Sequence, residues 1–257
     1  MRALGAAIAI ATAAGAAQAQ FFSFASNSNG ENWTFEYNPQ TQRLTHSDAN
    51  NGSPVTLLVD DRNGPMPAVS IDTEFRADMT LSTLSSVAIG GDEFLHIYAL
   101  NGSFEFLVDV GNGLETAMRV EFNDATLTAR GPSDRWSSTA TISGGDTASD
   151  PGRVTYSFFQ PLVGLVPNAA AYGLGVGSSI GPDDFSFTLT SLNTSGALPF
   201  DPESNPGALG TPTGGPGDFP TQTWWSEGSF SGSAIIPSPA SLALLGMGGL
   251  AMARRRR

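Results

Sequence analysis

Residues 177–181 (GSSIG) have the spacing of a nucleophile elbow, the sharp turn between a strand and a helix that exposes a catalytic serine in hydrolases. The motif requires a helix directly after the turn, but residues 182–184 (PDD) follow here and lead into a strand-like segment. His46 and His96 are the only two histidines, and nothing in the spacing places either beside a serine. We therefore interpret 177–181 as a Gly/Ser turn, His96 as a partly buried structural residue and His46 as part of a solvated turn, and we assign no catalytic residue.

Carboxylates are the second possible source of chemistry, because glycoside hydrolysis requires only two of them on facing strands. The chain has 24 acidic residues, but Glu105 and Glu121 alternate with apolar residues on neighbouring predicted strands and are expected to face solvent. Adjacent acids could also supply oxygen ligands for calcium, although none matches the register of an EF-hand loop. We predict no resident cofactor, and calcium stays open at three acidic pairs: Asp60-Asp61, Asp92-Glu93 and Asp183-Asp184.

Trp224 and Trp225 lie beside a Pro/Gly-rich stretch, and exposed aromatic rings next to polar loops can stack on the faces of sugars. The alternative is that one indole packs into the core at the start of the last strand. This pair is the candidate sugar contact of the sequence, and an exopolysaccharide is the ligand that it would bind.

Composition excludes several classes of site. The chain has 257 residues and no cysteine, and all 12 of its basic residues are arginines, so lysine is absent. No disulfide, cysteine-ligated metal, Schiff base or P-loop lysine is therefore available. The formal net charge of −12 gives the chain the wrong field for nucleic-acid phosphates, so we expect no nucleic-acid partner.

The first 19 residues have the order of a secretory signal peptide. Arg2 supplies the positive region, residues 3–14 are small and apolar, and Ala17 and Ala19 form an A-x-A cleavage site. We expect the secretion machinery to carry the chain through the inner membrane and the mature protein to begin at Gln20.

The last 21 residues (237–257) form a second targeting segment. Its predominantly apolar stretch at 240–253 has 14 residues, or 17 if counted from Pro237, which is fewer than the roughly 20 that a bilayer span needs, and three glycines lower its helix propensity. Terminal arginines would hold the tail on the cytoplasmic side, and a marginal span with a basic stop favours a temporary anchor. The motif residues are Pro237, Ser238, Pro239, Arg254, Arg255, Arg256 and Arg257.

This combination resembles the PEP-CTERM sorting signal, in which a Pro-Glu-Pro motif, a glycine-containing apolar helix and a basic tail follow one another. Pro237, Pro239, the stretch 241–246 (SLALLG) and the terminal arginines carry the resemblance, with Ser238 in place of the central glutamate. The resemblance implies recognition by an exosortase-like transpeptidase or protease, transient contact with the inner membrane, and transfer to the outer surface or the exopolysaccharide matrix. The alternative is a permanent single-pass anchor.

Strict alternation over residues 69–81 predicts a long strand with one buried and one solvated face. Asn101-Gly102 is the preferred pair for a two-residue type I′ turn, so we predict a hairpin between strands at 94–100 and 103–110. Residues 111–113 (GNG) would turn the chain again into a strand at 114–122, which completes a three-stranded antiparallel meander. The residues predicted for its apolar faces are Phe104, Phe106, Val108, Val110, Leu114, Met118, Val120 and Phe122.

Seven weaker strand patterns, and no convincing amphipathic helix within 20–236, predict an all-β fold, an antiparallel β-sandwich of jelly-roll type. A signal helix before it and a short hydrophobic helix after it complete the expected architecture. Six prolines interrupt the pattern at 193–223, which we interpret as a long surface loop within one domain, the alternative being a linker after a domain that ends near Thr194. The weaker strands are 33–37, 55–60, 125–129, 137–142, 154–159, 185–192 and 225–235.

These features favour an exported, non-enzymatic protein of structural or adhesive type at the cell surface or in the extracellular matrix. Two alternatives are a carbohydrate-binding module and a glycoside hydrolase. Residues 20–236 contain seven arginines and all 24 acids, a formal charge of −17, which should keep the domain soluble and away from anionic surfaces. Bridging by divalent cations is then the expected electrostatic mode of contact with acidic polymers.

Overall fold

A computed structural model of the chain describes residues 18–25, 33–46, 54–60, 66–133, 135–146, 153–194 and 218–236. The predicted signal segment through residue 17, the interior of the predicted loop (195–217) and the sorting motif (237–257) lie outside these ranges. In the part of the chain that is described, no helix is long and apolar enough to cross a membrane.

Antiparallel strands make up most of the described chain, which confirms the all-β prediction. The strands belong to one sheet, and every pairing in it is antiparallel. Between β9 and β10 lie a short helix α1 (Gln160–Leu165) and a 3₁₀ turn (Ala169–Tyr172). The strands are β1 (Gln18–Ala25), β2 (Trp33–Asn38), β3 (Arg43–Thr45), β4 (Pro54–Asp60), β5 (Val69–Gly90), β6 (Glu93–Asp109), β7 (Leu114–Pro132), β8 (Ala140–Gly145), β9 (Val154–Phe158), β10 (Gly177–Ser178), β11 (Asp184–Asn193) and β12 (Trp224–Ile236).

The sheet closes on itself, because β1 pairs with β12 on one side and with β4 on the other. From β4 the pairings continue through β5, β6, β7, β8 and β11 back to β12. β12 and β5 are also connected through β2 and β3, which pair with residues of these two strands that β1 and β4 do not reach. Sequentially distant strands therefore become neighbours, and the interior is enclosed by backbone on every side of this circuit.

Strand registers define two ends of the closed sheet. Gln18 pairs with Ile236, so the first strand begins where the last one finishes, and we call this the terminal end. The β6–β7 turn at 110–113 lies at the same end, because the registers of β1, β4, β5 and β6 run continuously from one to the next. The opposite end contains the β5–β6 turn at 91–92, and we call it the hairpin end.

The alternation predicted for 69–81 is confirmed within β5. Ile71, Phe75 and Met79 are buried, whereas Asp72 and Arg76 are exposed on the other face. This period of two is what a strand produces when one face covers a core and the other meets water. The strand continues well beyond the predicted segment, to Gly90.

Phenylalanine rings fill the enclosed interior. The ring of Phe104 lies 5.0 Å from that of Phe187 and 5.3 Å from that of Phe230, in edge-to-face arrangements that favour aromatic pairs. These contacts join β6, β11 and β12 across the core. The central cluster comprises Phe24, Phe75, Phe104, Phe106, Phe187 and Phe230.

Asn101 and Gly102 do not form a turn, so the hairpin predicted within 94–110 is wrong. β6 runs without interruption from Glu93 to Asp109 and pairs with both β5 and β7. A type I′ turn needs positive φ at both central residues, and of these two only Gly102 has it (+152°). Gly102 forms part of a β-bulge instead, where the register with β7 shifts after Leu100. The meander exists, but its strands are β5, β6 and β7.

Other sequence predictions need smaller corrections. Val110 and Leu114 are exposed and do not belong to an apolar face. They flank the β6–β7 turn, beyond Phe106 and Met118, the last paired residues of these strands that are both buried.

The bounds of several elements also differ from the prediction. Helix α1 lies where patterning predicts no helix, since six residues are too few to show a helical period. β1 begins at Gln18, two residues before the predicted mature N-terminus. All seven weaker strands exist with shifted bounds, and 125–129 is part of β7.

Candidate functional site

The Gly/Ser turn at 177–181 is fastened by a buried carboxylate. Ser179 Oγ donates a hydrogen bond to Asp183 Oδ2 and accepts one from the backbone N–H of Tyr156 (3.0 Å). Asp183 Oδ1 accepts a hydrogen bond from the backbone N–H of Ile235 in β12 (3.0 Å). No helix follows the turn, and the chain passes directly into β11. Ser179 thus connects the turn to its neighbouring strands, and its hydroxyl is not presented as a nucleophile.

Asp183 is only 2% exposed, and burial raises the pKa of its carboxyl. The hydrogen bonds from Ser179 and Ile235 lower this pKa in part, while the nearby carboxylates of Asp146 and Asp184 raise it. The Asp146 backbone N–H donates to the Asp183 carbonyl (2.8 Å), and Asp146 Oδ1 accepts from the N–H of Val154 (2.8 Å). The cluster therefore joins β9, β12 and the start of β11 through backbone groups.

Among the acids proposed as calcium ligands, Asp61 lies outside the described residues, and the others do not converge on a common point. Asp183 faces the interior, whereas Asp184 faces outward and its Oδ1 accepts hydrogen bonds from the backbone and hydroxyl of Ser233. Glu93, at the β5–β6 turn, contacts Arg130 (3.2 Å). Among the described residues, no three His, Asp or Glu side chains come together as a potential metal site.

His96 is fully buried, where the sequence predicted partial burial, and both of its ring nitrogens lie within hydrogen-bonding distance of neighbouring strands. It is 1% exposed, with Nε2 3.0 Å from the carbonyl oxygen of Pro132 and Nδ1 3.1 Å from Ser86 Oγ. Because a carbonyl oxygen only accepts, Nε2 carries a proton and donates it to the Pro132 carbonyl, while Nδ1 is hydrogen-bonded to the serine hydroxyl. Its two ring nitrogens thus hold β5 and β7 to β6 at the hairpin end.

Trp224 and Trp225 have different surroundings. Trp224 is fully buried, stacked on Tyr37 (5.6 Å between ring centroids) and edge-on to Trp136 (5.7 Å). A sugar cannot reach the faces of the Trp224 indole in this arrangement. Trp225 is half-buried and is the member of the pair that keeps access to solvent.

The end of the predicted long loop packs beside these rings. The carbonyl of Pro220 accepts a hydrogen bond from the Tyr37 hydroxyl (3.4 Å), and that of Asp218 accepts one from Tyr98 (3.2 Å). Burial raises the pKa of Tyr37 to about 12. The residues just before β12 are therefore attached to the core of the hairpin end.

A polar groove of about 620 Å³ crosses the outer face of β5, β6 and β7. A smaller groove of about 400 Å³ adjoins it over β2 and β3, and the two share Arg43 and Asp78. Most side chains along the larger groove are amides, hydroxyls and charged groups, which can hydrogen-bond to sugar hydroxyls. The larger groove is lined by Arg43, Asp78, Thr80, Asn101, Gly102, Ser103, Glu121, Phe122, Asn123 and Thr155.

Neighbouring strands fix the geometry of the larger groove. Asp78 lies opposite Ser103 on β6, which lies opposite Glu121 on β7, so the two carboxylates stand two strands apart. At about 4.8 Å per strand this separation is roughly 9.6 Å between backbones. Arg43 Nε donates to Asp78 Oδ1 (3.0 Å), and Asn101 Oδ1 accepts from the N–H of Asp124 (2.9 Å). Sequence reasoning missed this groove, because its residues come from five separate strands.

The targeting residues are described only in part. Ala19 and Gln20, at the predicted signal cleavage site, lie in β1 opposite Ile235 and Ala234, while Ala17 and the sorting motif lie outside the described residues. Comparison with protein-family models, with curated proteins and with solved structures found no match. Inference about function therefore rests on the sequence and on the geometry above.

Proposed function

We propose that this protein is an exported, non-enzymatic component of the cell surface or extracellular matrix, delivered by a sorting signal of PEP-CTERM type at residues 237–257. Its role is structural or adhesive. In this proposal the described strands form a flattened, jelly-roll-like sandwich between a signal helix and a short C-terminal hydrophobic helix. The secretion machinery and an exosortase-like enzyme are its processing partners, and its contact with the inner membrane is transient.

The register between β1 and β12 is the observation that best supports export and sorting. Gln18 pairs with Ile236, so the predicted signal peptide and the predicted sorting signal both join the domain at its terminal end. One end of the domain can then meet the membrane while the remainder faces solvent. A formal charge of −17 on residues 20–236 also suits a protein that must stay soluble outside the cell.

Removal of residues 237–257 tests the sorting proposal. Protease accessibility on intact cells should show the full chain at the outer surface, and the truncated protein should be retained in the periplasm or lost to the medium. The truncation leaves β12 complete, so circular dichroism of both forms should show the same strand content. Unchanged surface display of the truncated protein would contradict the proposal.

Carbohydrate binding in the larger groove is the second candidate function, with exopolysaccharide as the ligand. The specific support is the row of Asp78, Ser103 and Glu121 beside Asn123 and Thr155, a concave set of polar groups on an otherwise ordinary strand surface. Trp225 lies on β12, outside this groove, and supplies a separate candidate for stacking on a sugar.

Glycan-array binding of the secreted protein tests this second candidate. Glu121→Gln should weaken binding about tenfold, the equivalent of one hydrogen bond of about 1.4 kcal/mol. Thr188→Ala, an exposed substitution on β11 away from the groove, is the matched control. Absence of binding to any polysaccharide would rule this candidate out, and release of shorter oligosaccharides would favour the glycoside-hydrolase alternative, with Asp78 and Glu121 as its two carboxylates.

A further inference from the structure

Exposed apolar side chains are concentrated at the terminal end of the domain. Eight large apolar residues are well exposed among those that the structure describes, and five of them lie in segments at this end. We call these five the apolar rim: Val110, Leu114, Leu165, Val176 and Ile180.

Backbone hydrogen bonds place the rim segments next to one another. Val110 and Leu114 flank the β6–β7 turn, and the N–H of Phe159, just before α1, donates to Ala117 on β7 (3.0 Å). Gly177, which follows Val176, pairs with Phe158 on β9. The N–H of Ile180 donates to the carbonyl of Ile235 (2.9 Å), directly before the end of β12. The rim therefore runs from the turn, past α1, to the point where β12 ends.

Buried side chains of α1 and the segment after it pack beneath the rim. Leu162, Val166, Tyr172 and Leu174 are buried beneath it, and the Tyr172 hydroxyl donates to the carbonyl of Pro67 (2.7 Å) ahead of β5. The exposed members thus project from ordered structure. Residues 154–182, which supply three of them, contain no charged side chain in a chain whose domain carries a formal charge of −17.

The sequence beyond β12 indicates what meets the rim. The apolar segment 240–253 begins four residues after Ile236 and ends at four arginines. Because an extended residue spans at most about 3.6 Å, the connection from 236 to 240 can place the terminal end no more than about 15 Å from that segment. A segment inserted in a bilayer therefore brings the rim to the lipid surface.

We propose that the terminal end is a membrane-contacting face, and that its apolar rim sinks into the interface of a zwitterionic phospholipid bilayer while segment 240–253 is inserted. This inference rests on the proposed function, since the sorting signal delivers the domain to the membrane. Exposed Asp109 and Glu115 flank the rim and disfavour an anionic surface. They also disfavour a second copy of the chain as the occupant, because two such acidic ends would repel each other.

The absence of cysteine allows a direct test in the full mature chain (20–257). Single-cysteine variants Val176→Cys and Ile180→Cys, labelled with a polarity-sensitive dye, are mixed with phosphatidylcholine vesicles that carry quencher-labelled lipid. Val87→Cys is the matched control, because Val87 is likewise half-exposed and β-branched but lies at the hairpin end. Ala251→Cys reports insertion of the tail.

We expect a blue shift and quenching at positions 176, 180 and 251, and neither at 87. Quenching at 251 without quenching at 176 and 180 would overturn the rim proposal while leaving the sorting proposal intact. Quenching at 176 and 180 without quenching at 251 would support the rim and contradict insertion of the tail. A blue shift at 176 that depends on protein concentration and needs no vesicles would identify a second copy as the occupant and would also overturn the proposal, as would no response at any position.

Discussion

Asp183 fastens the turn that carries the GSSIG motif to strand β12. The GSSIG letters at 177–181 match a nucleophile elbow, but the turn leads into strand β11 and not into the helix that this motif requires. What the letters do not reveal is that Ser179 donates to Asp183, which in turn accepts from Ile235 on β12. That partner is 52 residues away along the chain, and only the pairing of β11 with β12 brings it close.

Asp183→Asn should change how stability depends on pH. Burial raises the pKa of the Asp183 carboxyl, so the folded state binds this proton more tightly than the unfolded state, whose aspartates titrate near pH 3.9. The contribution of Asp183 to the free energy of unfolding is therefore greatest below about pH 3.9 and is lost as pH rises through its folded pKa. Asparagine carries no proton to lose, so the variant should gain stability relative to the wild type as pH rises above about 4 and through the raised pKa of Asp183.

Urea unfolding at several pH values measures this difference. Asp92→Asn, at the exposed β5–β6 turn, is the control and should follow the wild-type pH dependence. The groups that face Asp183 are Ser179, the N–H of Ile235, Asp146 and Asp184, so the same series in Asp146→Asn shows how much of the effect is charge repulsion. Parallel curves for the wild type and Asp183→Asn would contradict the prediction.

Gly102→Ala should destabilise the domain by about 1 to 3 kcal/mol, the usual cost of a strained backbone position. Gly102 has φ of +152°, and a Cβ built on it would lie 2.3 Å from the carbonyl oxygen of Asp78. Gly164→Ala is the matched control, because Gly164 lies in helix α1 and a Cβ built on it would meet no atom within 4 Å. Urea midpoints compare the two variants, and an equal effect of both would show that the bulge tolerates a side chain.

At the scale of elements, period-two alternation was the most informative signal, because it reports directly on which face of a strand is buried. It identifies β5 and the seven weaker strands. The failures occur where tertiary pairing outweighs local preference. Asn101-Gly102 favours a turn in isolation, but β5 and β7 both pair across it and hold the chain extended.

Strand β1 should be essential for folding. Phe22 and Phe24 are 0% and 3% exposed, and loss of each buried phenylalanine costs about 3–5 kcal/mol against a typical net stability of about 5–15 kcal/mol. A chain that begins at Gln20 keeps both residues, whereas one that begins at residue 26 loses them together with the pairing that joins β12 to β4. We expect cooperative unfolding in calorimetry for 20–236 and none for 26–236; equal transitions for both would contradict this role.

At the scale of the whole molecule, the charge distribution could be predicted from the sequence and the shape could not. Five of the 12 arginines lie at Arg2 and residues 254–257, so the predicted targeting segments hold much of the positive charge. Closure of the sheet depends on contacts between β1 and β12, more than 200 residues apart, and the polar groove depends on the side-by-side pairing of β3, β5, β6, β7 and β9. Local patterns carry no information about such pairings.

Calcium and magnesium should stabilise the domain (20–236) equally. A protein of formal charge −17 gains stability when cations screen its self-repulsion, and the two ions carry the same charge. Because charge screening does not distinguish the two ions, we expect no selective effect of calcium. Melting temperatures in equal concentrations of the two chlorides provide the measurement, with sodium chloride at equal ionic strength as the reference. A higher melting temperature in calcium alone would indicate a specific site.

The pairing of β1 with β12 also sets the order of events during synthesis. The first strand remains without one of its neighbours until residue 236 has been made, which takes roughly 12 to 47 s at about 5–20 residues per second. Until then the chain cannot complete its hydrogen-bonded circuit, and such distant pairings form slowly even afterwards. For the export that we propose, this order has a use: a chain that cannot close its sheet before its last strand appears can still be threaded through a secretion channel, and it completes its fold after the whole domain has passed.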